Sequence, residues 1–194
     1  MLTSLAVDWL NPVDSGETSN ATGRYSYEYF QKHVVDWVEY TGDNYEIQFA
    51  NVTAYLRGIR GLKKLVTDSN GCGKPLYDRL VAYMAHSGVE VQEFNFQPRL
   101  KSDGFKSLYS DVCGGRLTFP AGTAARRTPQ FRRFIAQMLD MRKTYKNQLM
   151  QVAHPAERDA HDDYGSSLML AAYGANTPVN SSTIDFMDSN LFYR

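Results

Sequence analysis

His161-Asp162-Asp163 stands just ahead of a short apolar run, Leu168-Met169-Leu170-Ala171-Ala172, that reads as a buried helix. Adjacent carboxylates at such a helix are costly, because like charges repel and each must lose solvent. A bound divalent cation removes that cost. Two more acids close apolar strands far upstream: Asp8 after Leu5-Ala6-Val7, and Asp68 after Leu65-Val66-Thr67. Carboxylates on two strand ends and a late helix are the donors that a magnesium-dependent phosphodiester-cleaving site needs. Hard oxygen ligands without a cysteine cluster select Mg²⁺ or Mn²⁺ over zinc.

Each acid also has a plainer use. Asp8 and Asp68 suit turns, and Asn70-Gly71 beyond Asp68 favours one anyway. Asp162 or Asp163 suits a helix N-cap, stabilised by the helix dipole. One cap needs one aspartate, however. The second is unexplained without a cation or a base, and His161 is the neighbouring candidate. Asp14, in Asp14-Ser15-Gly16 behind the first strand, is either a further metal ligand or an exposed loop acid; Glu17 has less claim. The run Gly71-Cys72-Gly73-Lys74-Pro75 is not a phosphate loop: Asp68 stands where its first glycine belongs, and Pro75 where Ser or Thr must follow the lysine. Its glycines instead let the backbone turn tightly beside Asp68. No Gly-x-Ser-x-Gly occurs, and Cys72 and Cys113 match no zinc or disulfide spacing. His33 and His86 read as surface or packing residues, and His154 lies near the late helix.

The elements that must carry these acids follow from apolar spacing. Residues 3–9 read as a strand ending at Asp8, and residues 11–26 as a long polar loop. Residues 33–40 and 45–50 flank Thr41-Gly42-Asp43-Asn44, which predicts a hairpin. Tyr27, Phe30, Val34, Trp37 and Val38 also match helical spacing, so part of 26–38 has a helical alternative. A helix is expected over 51–60, a strand over 62–68, a helix over 75–85 and a strand over 88–96. Helices follow over 103–113 and 129–145, a short strand over 148–153 and a helix over 162–174. Strand-rich at first and alternating later, this is an α/β plan: a mixed sheet, with a three-strand antiparallel meander plus parallel strands, flanked by helices.

A chain of 194 residues with 43% hydrophobic content forms one domain with a sizeable core. Its 21 basic and 21 acidic residues cancel, which argues against a simple nucleic-acid coat. Their distribution is uneven. Residues 1–50 hold eight acids against Arg24 and Lys32, whereas residues 99–146 hold eleven bases against Asp103, Asp111 and Asp140. An acidic segment that can carry metal, followed by a basic one that can hold phosphates, suits an enzyme acting on a polyanion. Solvated helix faces are the plainer reading of any single charge. No stretch approaches the roughly 18 apolar residues of a membrane span, and Met1-Leu2-Thr3-Ser4 opens no signal peptide. An intracellular setting is expected, with the sequons at Asn20, Asn51 and Asn180 accidental.

With these pieces in order, the chain resembles the nuclease domain of the large terminase subunit of tailed phages and herpesviruses. The resemblance is carried by Leu5-Ala6-Val7-Asp8 with its polar loop, by Leu65-Val66-Thr67-Asp68 with the Gly-rich turn behind it, and by His161-Asp162-Asp163-Tyr164-Gly165. Arg116-Leu117-Thr118-Phe119-Pro120 is similar to that family's short strand before a helix. The resemblance covers residues 3–174. It implies a ribonuclease H-like nuclease domain over 1–174, with a polar tail over 175–194. It implies a two-metal site of Mg²⁺ or Mn²⁺ in which Asp8 bridges the ions while Asp68 and Asp163 hold one each, helped by Asp162. Arg116, Arg126, Arg127, Arg132 and Arg133 would grip the duplex backbone without reading bases. The implied activity is endonucleolytic cutting of concatemeric double-stranded viral DNA during genome packaging. The implied partners are an ATPase domain preceding this one, Met1 then being an addition, together with a small terminase subunit and a portal. The host cell cytoplasm is the implied location. Rival readings are another ribonuclease H-like nuclease, of resolvase or transposase type, and a non-catalytic module that docks on DNA or a portal.

Overall fold

Strand-forming runs rich in Val, Tyr and Trp alternate with apolar residues at helical spacing, and the elements follow that alternation. A computed structural model describes residues 2–9, 31–40, 44–71, 73–120, 122–153 and 163–177, with the backbone alone for 2–9, 123 and 125. The order is β1 (Leu2–Trp9), β2 (Lys32–Tyr40), α1 (Tyr45–Gly58), β3 (Lys64–Asp68), α2 (Gly73–Met84), β4 (Glu90–Phe94) and α3 (Pro98–Cys113). Then come β5 (Leu117–Thr118), α4 (Thr123–Arg127), α5 (Pro129–Asp140), β6 (Arg142–Lys146), β7 (Leu149–Ala153) and α6 (Asp163–Asn176).

The strands pair in small groups. β2 is flanked by β1, antiparallel, and by β5, parallel. β3 and β4 pair in parallel with Asp68 opposite Phe94, and β6 and β7 form an antiparallel hairpin. The mixed α/β character expected from the sequence is present.

The three-strand meander is not. Residues 45–50 begin a helix, because the Asn44 side chain accepts from the Ile47 amide at 3.0 Å and caps it. Tyr45, Phe49, Val52 and Leu56 then line one face against α2. The alternation that suggested a strand is overridden by that cap and that face. Residues 31–40 are extended, so the helical alternative for 26–38 fails where the chain is described. The helix expected over 129–145 stops at Asp140: Asn147 and Gln148 both take positive φ (50° and 64°), turning 142–153 into a two-residue hairpin. Thr128 and Pro129 start α5 as cap and first helical residue. Thr41-Gly42-Asp43, the loop over 11–26 and residues 178–194 lie outside the described residues. None of the helices among the described residues is long and apolar enough to cross a membrane.

Two apolar clusters form. One joins Val34 and Trp37 of β2 to Phe134 of α5, Phe105 and Leu108 of α3, and Leu168, Met169 and Ala172 of α6. The other joins Val52 and Leu56 of α1 to Leu76, Leu80 and Met84 of α2. Helix α6 crosses β3 closely enough that a Cβ on Gly174 would meet Val66 Cγ2 at 2.6 Å. Polar links tie the far end of α6 to its neighbours. Lys64 Nζ donates to the Thr177 carbonyl at 3.2 Å, and Asn176 donates to Ser107 Oγ at 2.9 Å. Beneath them Lys32, 1% exposed, donates to Asp111 at 2.8 Å.

Breaking that buried pair leaves a charge without its partner. Asp111→Ala is expected to cost about 3–5 kcal/mol in urea unfolding, whereas the double variant Lys32→Met/Asp111→Leu recovers most of the loss. Gly174→Ala overpacks the α6–β3 crossing and is expected to cost about 1–3 kcal/mol, partly relieved by Val66→Ala.

Candidate active site

Asp68 ends β3 on the surface, and the turn behind it is stitched to the end of β4. The Asn70 amide donates to Asp68 Oδ1 at 2.8 Å. Asn70 Oδ1 accepts from the Phe96 amide at 3.2 Å, and the Ser69 amide and hydroxyl both reach the Phe94 carbonyl. Gly71 takes φ +52°, and a Cβ on Gly73 would fall on the Asp68 carbonyl oxygen. The glycines therefore allow the chain to fold back onto this aspartate, as their spacing predicts. One Asp68 oxygen is engaged in the turn, and its carboxylate faces solvent.

Asp163 opens α6 and its Oδ2 is buried. The next residue, Tyr164, is fully buried and held at both ends. Its amide donates to Gln137 Oε1 of α5 at 3.1 Å, and its hydroxyl donates to Glu39 Oε2 of β2 at 2.8 Å. Burial, then the Glu39 hydrogen bond and charge, push the Tyr164 phenol far above its ordinary value, so it remains a donor.

Asp8 lies in β1 opposite His33, with its side chain outside the description. Asp14, His161 and Asp162 lie outside the described residues altogether. The His33 ring bonds the Thr118 hydroxyl through Nδ1.

Helix α6 measures how far apart the acids stand. Its first turn lies by Glu39, near the end of β2; its last turn lies by Asp111, which also holds Lys32 at the start of β2. Asp8, level with His33, thus sits at the Lys32 end, while Asp163 sits at the Glu39 end. The 13-residue step from Asp163 to Asn176 is about 20 Å along the axis. Asp68 pairs with Phe94, whose ring meets Tyr173 of the last turn of α6 edge-on at 4.9 Å, so Asp68 too lies toward that end of the helix. Among the described residues no group of three His, Cys, Asp or Glu side chains is placed to hold a metal. The donor chemistry of Asp68 and Asp163 fits a hard divalent cation; their positions alone do not assemble a site for one.

The arginines divide into two kinds. Arg126, Arg127 and Arg132 are exposed on α4 and α5. Arg133 is exposed but pairs with Glu39 at 3.0 Å. Arg116 is engaged, donating to Asp111 at 3.1 Å and to Ser110 Oγ at 2.8 Å. Sequence reasoning passed over Glu39, Gln137 and Tyr164. Glu39 and Tyr164 are 125 residues apart, and no local pattern links them.

No family model matches the chain, and a search of curated proteins finds no match. Solved structures do match. The large terminase nuclease from thermophilic phage G20c with bound magnesium superposes at TM-score 0.56 and 15% identity, over 89% of this chain and 80% of that one. A second structure of the G20c nuclease gives 0.54 at 16% identity, over 74% and 73%. The Thermus phage P74-26 large terminase nuclease domain gives 0.50 at 14% identity, over 88% and 77%. At this identity the likeness is one of backbone architecture: the chain shares the mixed α/β fold of these large terminase nucleases.

Proposed function

We propose that this chain is the nuclease domain of a viral large terminase subunit, cutting concatemeric double-stranded DNA during genome packaging. The observation that carries the reading is the fold, shared with three structures of large terminase nucleases over most of their length. The domain would run from residue 1 past the expected bound at 174 to the end of α6 at Asn176, with the polar tail beyond it. It would act beside an ATPase domain, a small terminase subunit and a portal, in the host cytoplasm.

The reading assigns Asp8, Asp68 and Asp163 as catalytic carboxylates, with Asp162 and Asp14 as further candidate ligands for two Mg²⁺ or Mn²⁺ ions. Magnesium in one structural neighbour and the all-oxygen donor set support a divalent cation. Such ions, when bound, supply a hydroxide nucleophile at neutral pH and neutralise charge on the leaving 3′ oxygen. The chain's own residues do the rest. Arg126, Arg127 and Arg132 would hold backbone phosphates, a sequence-tolerant grip. Arg116 joins them only by leaving Asp111, and Arg133 only by leaving Glu39. Asp8 and Asp68 lie toward the last turn of α6 and Asp163 opens its first, so each of the three assignments is tested by its own variant.

Plasmid nicking by the purified chain is expected with Mg²⁺ or Mn²⁺ and to vanish in EDTA. Asp68→Asn and Asp163→Asn should each reduce the rate by more than the about 10–100-fold typical of residues that only support a ligand, with the fold retained. If Asp8→Asn keeps full activity, the site excludes β1. DNA binding without nicking points to a docking module, and a preference for branched junctions to a resolvase. Arg127→Ala and Arg132→Ala should each lower the slope of log affinity against log salt by about 1, measured by gel shift in EDTA.

A further inference from the structure

The first four amides of a helix have no partner within it. In α6 the Tyr164 amide is satisfied from outside, by the Gln137 side chain at 3.1 Å. The same residue is anchored at its other end, where its hydroxyl donates to Glu39 Oε2 at 2.8 Å. Between those ends its ring, fully buried, meets Phe134 edge-on at 6.0 Å. Gly165 follows, and a Cβ there would strike the Met141 sulfur, so the turn is pressed against the end of α5. Glu39 is itself fixed: its side chain is 9% exposed and pairs with Arg133 at 3.0 Å.

Resting on the nuclease reading above, we propose that Gln137 and Glu39 are positioning residues that lock the first turn of α6 and through it hold Asp163. The physical reason is adjacency. Asp163 precedes Tyr164 by one residue, so a turn fixed by an amide, a ring and a hydroxyl leaves the Asp163 backbone little freedom. A carboxylate that must meet a substrate and a second carboxylate gains from such pre-organisation, since small misplacements are costly in rate. Glu39 also links the turn to α5, because Arg133 and Tyr164 share one of its oxygens.

The test compares Gln137→Met and Glu39→Leu, which remove the acceptors, with Glu39→Gln, which keeps an oxygen for the Tyr164 hydroxyl. Amide exchange at Tyr164 and Gly165 in the full chain is expected to quicken about tenfold in the first two and little in the third. In metal-dependent nicking, kcat should fall about tenfold in the first two, with KM for DNA unchanged in Gln137→Met, which leaves the Glu39–Arg133 pair intact, and Glu39→Gln should restore kcat. Unchanged exchange at Tyr164, or faster exchange with unchanged kcat, overturns the proposal. So does a Glu39→Gln variant as impaired as Glu39→Leu, which reduces Glu39 to a general stabiliser. If the unaltered chain nicks DNA with no divalent cation, the nuclease reading fails, while the exchange measurement still decides whether the turn is locked.

Discussion

Helix α6 has almost no face that tolerates water, and its burial is the constraint around which the other elements arrange themselves. Tyr164, Leu168 and Met169 are fully buried, and Ala172 and Ala175 nearly so. A helix apolar on nearly every side needs partners on every side, and it finds them in β1, β3, α3 and α5. Small residues let those partners come close, Gly165 against Met141, Gly104 against Met169 and Gly174 over Val66 among them. Its two ends are then fixed by hydrogen bonds instead of apolar contact. The first turn is held from α5 and β2 through Gln137 and Glu39, and the last from α3 and β3 through Ser107, Asp111 and Lys64.

The charge asymmetry along the chain acquires a second meaning in three dimensions. Acids of the first fifty residues and bases from the later half partly meet each other, as Glu39 meets Arg133. The most deeply buried pair among the described residues is Lys32 with Asp111, which brings the start of β2 against the end of α3. Exposed pairs such as Arg79 with Glu46 contribute little to stability. Among the described residues, Arg126, Arg127 and Arg132 are exposed on α4 and α5.

Much of the architecture was legible because it rests on local chemistry. Apolar spacing announces α5, the glycines after Asp68 announce a tight turn, and the apolar run after Asp163 announces a buried helix. The errors came where a local signal was weaker than its competitor. Residues 45–50 alternate like a strand, yet the Asn44 cap and the stripe formed with Val52 and Leu56 make them helical. Residues 142–145 continue the apparent periodicity of α5, yet the positive φ angles at Asn147 and Gln148 fold them into a hairpin.

The candidate site divides along the same line. From the sequence alone come the donor types, carboxylates at the end of β3 and the start of α6, since strand ends, turns and apolar runs are written in neighbouring residues. Only tertiary structure decided toward which end of α6 the backbone at Asp8 lies, and that Tyr164 is gripped by Glu39 and Gln137. Those relations depend on strand pairing and on side chains up to 125 residues apart. Loop closure and packing set them, and neither leaves a periodic trace in the chain.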